Sequence, residues 1–171
     1  MQVVKKLLLS LLLVWGALLL FMPKEELYFS LERELAKKGV ELNEGIIHES
    51  LFGLTLEDVT LYVQGIQVAK AKEVSLFTLF VFTRIKIEEL TIDKALQNMV
   101  PEEVKQAVIT HSVLSPVTLH IKAEGSFGKL DGEVSITNRT VHLDFTETEK
   151  IDMIRPQLKK GEKGWYYETS F

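Results

Sequence analysis

From Val40 onward the apolar residues of this chain recur at every second position, which leaves it little to become other than a half-buried β-sheet. Leu54 and Leu56 alternate with Thr55, and Val59, Leu61 and Val63 alternate with Thr60 and Tyr62. The apolar parity changes from even to odd across Glu57-Asp58, and after Gly65, where a hairpin turn is expected, Ile66 and Val68 are even again. Ile85 and Ile87 are odd and Leu90 and Ile92 even, with the change across Glu88-Glu89. "LEDVTL" (56–61) and "IEELTI" (87–92) therefore share one pattern: apolar, acid, acid, apolar, Thr, apolar. An extra residue in a strand, a β-bulge, reverses the parity in this way. The two segments read as a repeated device that bends a sheet, with the acids as exposed knuckles. The alternative is chance similarity between two amphipathic strands.

Elsewhere the pattern is coarser. "SLFTLFVF" (75–82) is apolar on both parities, as a strand buried on both faces would be, or one whose second face meets lipid or a partner. Pro101 to His111, with Val104 and Val108 four residues apart, predicts a short helix. Three strands follow, with inward rows Val117-Leu119-Ile121-Ala123, Leu130-Val134-Ile136 and Val141-Leu143-Phe145. "GSFG" and "TNRT" supply the turns of an antiparallel meander with one wet face. Thr148 is placed to cap a brief helix carrying Ile151 and Ile154, which Pro156 disturbs, and "WYYETSF" is a last strand.

The N-terminal segment is of a different kind. Leu7 to Met22 carries no charge, and Lys5 and Lys6 stand before it. Sixteen residues rise roughly 24 Å, short of a ~30 Å hydrocarbon core until Val3, Val4 and snorkelling lysines extend it. No small-x-small cleavage site follows, so the segment reads as an uncleaved signal anchor, with Leu7, Leu13, Trp15, Leu20 and Phe21 among its membrane-facing residues. The flanking lysines keep the N-terminus cytoplasmic and place the rest across the membrane. Pro23 to Lys38 reads as an amphipathic helix with Leu27, Leu31 and Leu35 in one stripe, Tyr28 beside it and Gly39 at its stop.

Lys5 and Lys6 are the only charges before Pro23, so the remainder is more acidic than the whole chain, whose formal net charge is −4. That balance argues against a nucleic-acid partner. With no cysteine there is neither disulfide nor thiol chemistry. Motifs for nucleophilic, phosphate-binding or zinc-dependent catalysis are missing, so no catalytic residue, metal site or cofactor is expected. His120 and His142 fall on the first and third strands of the meander, roughly 10 Å apart, too far to share a metal. Glu57-Asp58 and Glu88-Glu89 would form a carboxylate dyad only if an apolar cleft held them together, and His48 beside Glu57 and Asp58 would make a pocket worth testing. Asn138-Arg139-Thr140 fits a glycosylation sequon but coincides with a turn.

The order of parts then becomes informative: an anchor, a helix, "GLTLEDVTL" (53–61), "AKAKEVSL" (69–76) and "IKIEELTI" (85–92). It resembles the N-terminal region of AsmA-like envelope proteins and of the type II secretion N-subunit family, which pass from a membrane anchor into a curved β-sheet. "GKLDGEVSI" (128–136) and "GWYYETSF" (164–171) are similar to the closing part of the shorter secretion proteins. The expected architecture is mainly β (α+β). Residues 1–22 form the cytoplasmic tip and transmembrane anchor, 23–39 the amphipathic helix, and 40–171 a periplasmic, curved, mostly antiparallel sheet with a few short helices. The resemblance implies a non-catalytic, single-pass inner-membrane protein acting as a scaffold or accessory in envelope transport, with an envelope or secretion-machinery protein as partner. Its partner contact would be the edge strand at Trp165, Tyr167 and Phe171. The alternative is an AsmA-like lipid-binding or lipid-transfer module taking phospholipid on a face of Leu76, Phe77, Leu79, Phe80, Val81 and Phe82.

Overall fold

The computed structural model describes residues 2–79, 81–94, 96, 101–147, 151, 154–161 and 164–171. Two helices come first, α1 (Gln2–Phe21) and α2 (Lys24–Lys37), broken at Met22-Pro23, where proline has no N–H to continue the ladder. Glu25 and Glu26 lie in the first turn of α2 and Lys37 in its last, matching the helix dipole. The left-handed Gly39 (φ +76°) lets the chain turn away into the sheet.

Among the described residues no helix is long and apolar enough to cross a membrane. The uncharged part of α1 runs only from Leu7 to Phe21, a rise of about 22 Å against the ~30 Å of a hydrocarbon core. α1 is nevertheless an apolar helix with Leu7, Leu13, Trp15, Leu20 and Phe21 all exposed.

The remainder is a single antiparallel sheet. Its strands are β1 (Val40–Asn43), β2 (Ile46–Ser50), β3 (Gly53–Val63), β4 (Ile66–Thr78), β5 (Phe82–Ile92), β6 (Glu103–Ser112), β7 (Ser115–Gly125), β8 (Gly128–Ser135), β9 (Thr140–Phe145), β10 (Lys159–Gly161) and β11 (Gly164–Ser170). Neighbours in sequence are neighbours in space from β3 to β9; β11 then pairs with β9, and β10 lies outside it. β1 and β2 both pair with β3 in one unbroken register, from Val40↔Val63 to Ser50↔Gly53, so they are two halves of one edge strand. Gln64 and Gly65, both at positive φ (52° and 77°), make the β3–β4 turn expected at Gly65.

The parity changes at Glu57-Asp58 and Glu88-Glu89 are present, and Asp58 and Glu89 adopt left-handed backbone at φ 54° and 48°. The device is wider than two strands. On the apolar face Leu56 is level with Val74, Ile87 and Ala107, while the next level holds Val59, Ala71, Leu90 and Val104. Each of these four strands thus spends three residues where two would serve. Because β3, β4, β5 and β6 do so together, their pairing stays in register and no bulge separates them at this level. The extra residue shows as a register shift only between β6 and β7, at Val104/Gln106 opposite Gly125 and Glu124. The edge strand is interrupted at the same level, at Glu44-Gly45, where Gly45 N–H donates to Glu57 O (2.9 Å). Lys72, between Asp58 and Glu89, pairs with Glu89 at 2.6 Å, and this contact and charge raise the lysine's pKa.

Two sequence expectations are corrected. Residues 101–111 are not a helix: from Glu103 onward they form nearly all of β6. Val104 and Val108, whose spacing suggested one side of a helix, lie on opposite faces of the strand, because the chain takes three residues from Val104 to Ala107 on the apolar face. "SLFTLFVF" is not one strand: β4 ends at Thr78, β5 begins at Phe82, and Leu79 N–H donates to Phe82 O (2.9 Å) to close a turn. That turn holds none of the Gly, Pro, Asn or Asp residues by which turns are recognised. Thr148 lies outside the described residues, and a 3-10 turn at Arg155–Gln157, with Pro156 at its start, stands near the expected brief helix.

Apolar packing occurs in two places on the same face. Leu54, Leu56, Val59 and Ala71 are buried under Tyr28 and Leu42 at the β1 side. Phe127, Phe145, Ile151 and Ile154 are buried at the β9 side, with Trp165 and Tyr167 against them and Phe127 edge-on to Phe145 (6.1 Å).

Candidate functional site

The meander brings distant residues into rows. One row crosses the apolar face as Leu56, Val74, Ile87, Ala107, Ala123, Leu130, Phe145 and Trp165. Large side chains occupy its ends, and the paired alanines Ala107 and Ala123 its middle. The dip above them is the floor of an apolar cavity of about 420 Å3. Leu90, Ile92 and Val104 stand on one side of it, and Leu130, Leu143, Phe145 and Tyr167 on the other, with Ile154 and Leu158 from the segment after β9. Among the described residues the only polar side chains in the lining are Gln157 and Tyr167. From β5 to β11 the cavity crosses five inter-strand steps, roughly 24 Å at the usual spacing. Its size is in the range of small-molecule and cofactor sites.

A second cavity of about 390 Å3 lies between α2 and the sheet, lined by Leu27, Tyr28, Leu31, Leu54, Leu56, Val74, Leu76 and Ile85 among others. On β5 only Ile87 separates the linings of the two, Ile85 in one and Leu90 in the other, on the same face. The apolar stripe of α2 was expected from sequence; here it roofs this cavity. Lys24, 8 % exposed, holds the start of the helix to β2 through Glu49 (3.3 Å).

Tyr28 fastens the middle of α2. Its hydroxyl donates to Glu44 Oε2 at 2.8 Å, at the interruption between β1 and β2. Burial first, then the hydrogen bond to Glu44 and the charges of Glu44 and Glu32, hold its pKa well above the ordinary 10.0. A phenol that resists ionisation in the folded state adds stability that is full below pH 10, where the unfolded phenol titrates, and is lost as the pH rises beyond it. Tyr28→Phe should lower stability by about 1–2 kcal/mol at neutral pH and flatten the alkaline decline. Thermal melts of both chains from pH 8 to 11 check this; an unchanged alkaline slope would contradict the role given to Tyr28.

The residues singled out from sequence do not share one surface. Leu76 is on the apolar face and lines the second cavity. Phe77, the next residue, points to the other face and meets Phe52 at 6.3 Å between ring centroids. Leu79 and Val81 are in the turn, Phe82 takes the Arg84 guanidinium over its ring (5.3 Å), and Phe80 lies outside the described residues. At the other end the side chains of Trp165 and Tyr167 pack against the second core, while Phe171 is exposed.

The polar face is charged and shallow. His120 and His142 sit on β7 and β9 with Glu133 of β8 level between them, and His120 pairs with Glu133 (3.2 Å) and His142 with Asp144 (3.2 Å). His48 and Glu57 do meet, at 3.3 Å, but His48 is exposed and Glu57 only half-buried, and Asp58 lies in a neighbouring depression with Lys72 and Glu89. Among the described residues no group of three or more His, Cys, Asp or Glu side chains could hold a metal ion.

Sequence reasoning placed Ala123 in the inward row of its strand but missed Ala107 and the pairing of the two. Alanine has no period of its own, and only the cross-strand register shows that the two coincide.

Compared with known proteins, the chain matches no protein-family model, no curated protein and no solved structure.

Proposed function

We propose that this protein is a non-catalytic, membrane-tethered module that binds the acyl part of a phospholipid on the apolar face of its sheet. The observation that carries this is the apolar cavity over Ala107 and Ala123, with its continuation under α2. One leaflet's acyl chain occupies about half of a ~30 Å core, roughly 15 Å, which the 24 Å groove accommodates. Each methylene removed from water favours binding by about 0.8 kcal/mol. α1 is the tether: a helix with apolar side chains all round has no polar face to offer water. Its uncharged part enters a bilayer fully when Lys5 and Lys6 snorkel and the lipid thins slightly around it. The same lysines favour a cytoplasmic N-terminus, with the sheet on the periplasmic side of the inner membrane.

The test is to purify the full chain from an envelope-exposed preparation in mild detergent and record its native mass spectrum. Adducts of phospholipid mass are expected; a folded chain of bare mass would reject the reading. A bare mass would favour the second reading, a scaffold for an envelope or secretion-machinery protein. That reading draws on β10 pairing only with Gly164 to Tyr166, so that among the described residues no strand continues along Tyr167–Ser170 on that side.

A further inference from the structure

In a meander successive turns alternate between the two ends of the sheet, and the ends of this one differ. The turns between β2 and β3, β4 and β5, β6 and β7, and β8 and β9 lie at one end, together with the C-terminus of β11. These tips carry Leu51, Val81, Val113, Leu114, Ile136 and Phe171, all exposed, with Leu114 at 91 %. Arg139 is the one charged residue in the segments 50–53, 78–83, 112–117, 135–140 and 170–171. At the opposite end the connections hold Gln64, Asp93, Lys94, Glu102 and Ser126, and among the described residues only Val63 and Ile66 are large, apolar and exposed there. Phe127, the aromatic residue of that end, is folded into the core at 4 % exposure.

The apolar end is also where α1 arrives. Met22, just after α1, lines the second cavity with Gly53 and Thr78, and Thr78 N–H donates to Phe52 O (2.8 Å). An apolar helix therefore enters the sheet at the one end whose turns are apolar. Seven inter-strand steps, from β3 to β11, separate the first tip from the last, a row of roughly 34 Å.

We infer that this row of turn tips is a bilayer-docking edge, which seats the sheet end-on upon the membrane that holds α1. The inference rests on the tether proposed above. A bilayer is the occupant the features favour, because the tips are continuous with α1 and lack acidic residues that anionic headgroups would repel. With the sheet seated in this way, the second cavity faces the membrane through Met22 and Thr78, and a lipid chain has an apolar way in.

The chain has no cysteine, so single probe sites can be introduced cleanly. Leu114→Cys and Ser126→Cys, at exposed positions on opposite ends, are labelled with an environment-sensitive nitrobenzoxadiazole dye. The full chain is then reconstituted into vesicles of phosphatidylethanolamine and phosphatidylglycerol. The probe at 114 should shift to the blue and be quenched several-fold more by lipid-borne spin labels than the probe at 126, which should stay open to aqueous iodide. Equal responses from the two probes would overturn the docking edge. So would a blue shift at 114 without vesicles that grows with protein concentration, which would make a second copy the occupant. Flotation with the vesicles reports the tether separately, and the native mass spectrum reports lipid in the groove, so a failure of the edge is distinguishable from a failure of the proposed function.

Discussion

A chain carrying Ala107→Trp should leave an envelope-exposed preparation without the phospholipid that the unaltered chain is expected to carry. The indole would stand in the dip that Ala107 and Ala123 leave between Ile87 and Leu130, on the floor of the 420 Å3 cavity. Excluding about four methylenes of a bound chain forfeits about 3 kcal/mol. That is more than a hundredfold in affinity, at roughly 1.4 kcal/mol per tenfold. The neighbouring Val108 is level with Lys86 and Lys122 on the polar face, so Val108→Trp adds the same bulk to the same strand without entering the cavity. The expected outcome is loss of adducts for Ala107→Trp alone. Undiminished adducts in that variant would take the cavity out of the function.

The second large effect concerns stability. Ile151 is fully buried, at 0 % exposure, between Phe127, Phe145 and Ile154. Ile151→Ala should cost about 3 kcal/mol, from lost transfer energy and the void left behind. For a chain of this size that corresponds to a Tm roughly 10 °C lower. Ile151→Val, which removes a single methylene, should cost about 1 kcal/mol. Circular dichroism melts distinguish the two, and a shift of less than about 2 °C for the alanine variant would mean that the segment after β9 does not hold the sheet. The same segment supplies Ile154 and Leu158 to the cavity wall, so loosening it should also weaken lipid retention.

The strands of the meander from Ser115 to Phe145 were legible, because each alternates cleanly and each turn carries Gly or Asn, except that Ile136, expected in an inward row, lies beyond the end of β8 and is exposed. The parity changes at Glu57-Asp58 and Glu88-Glu89 were legible as well, but the participation of β4 and β6 was not. Lys72-Glu73 and Lys105-Gln106 lack the acid pair that made the other two stand out. With the step in β6 unseen, Val104 and Val108 passed for one side of a helix, although they lie on opposite faces of the strand. The split of residues 75–82 between two strands was hidden by the apolar tip of their turn, which carries none of the residues by which turns are usually recognised. The groove was not legible. It depends on which residues of β6 and β7 stand level, and Ala107 and Ala123 acquire meaning only as a pair.

The shared three-residue step from the edge strand to β6 has an evolutionary side. Deleting Asp58 alone would put half of β3 out of phase with both neighbours, turning either Leu54 and Leu56 or Val59 and Leu61 outward at once. No single deletion or insertion at that level can be absorbed locally. The step can be gained or lost only in all the strands together, or displaced to the boundary with β7, where the register already shifts. Length changes in descendants of this chain are therefore expected to collect in its turns and at the β6–β7 seam, leaving the level of Asp58, Lys72, Glu89 and Lys105 the part of the sheet least free to change length.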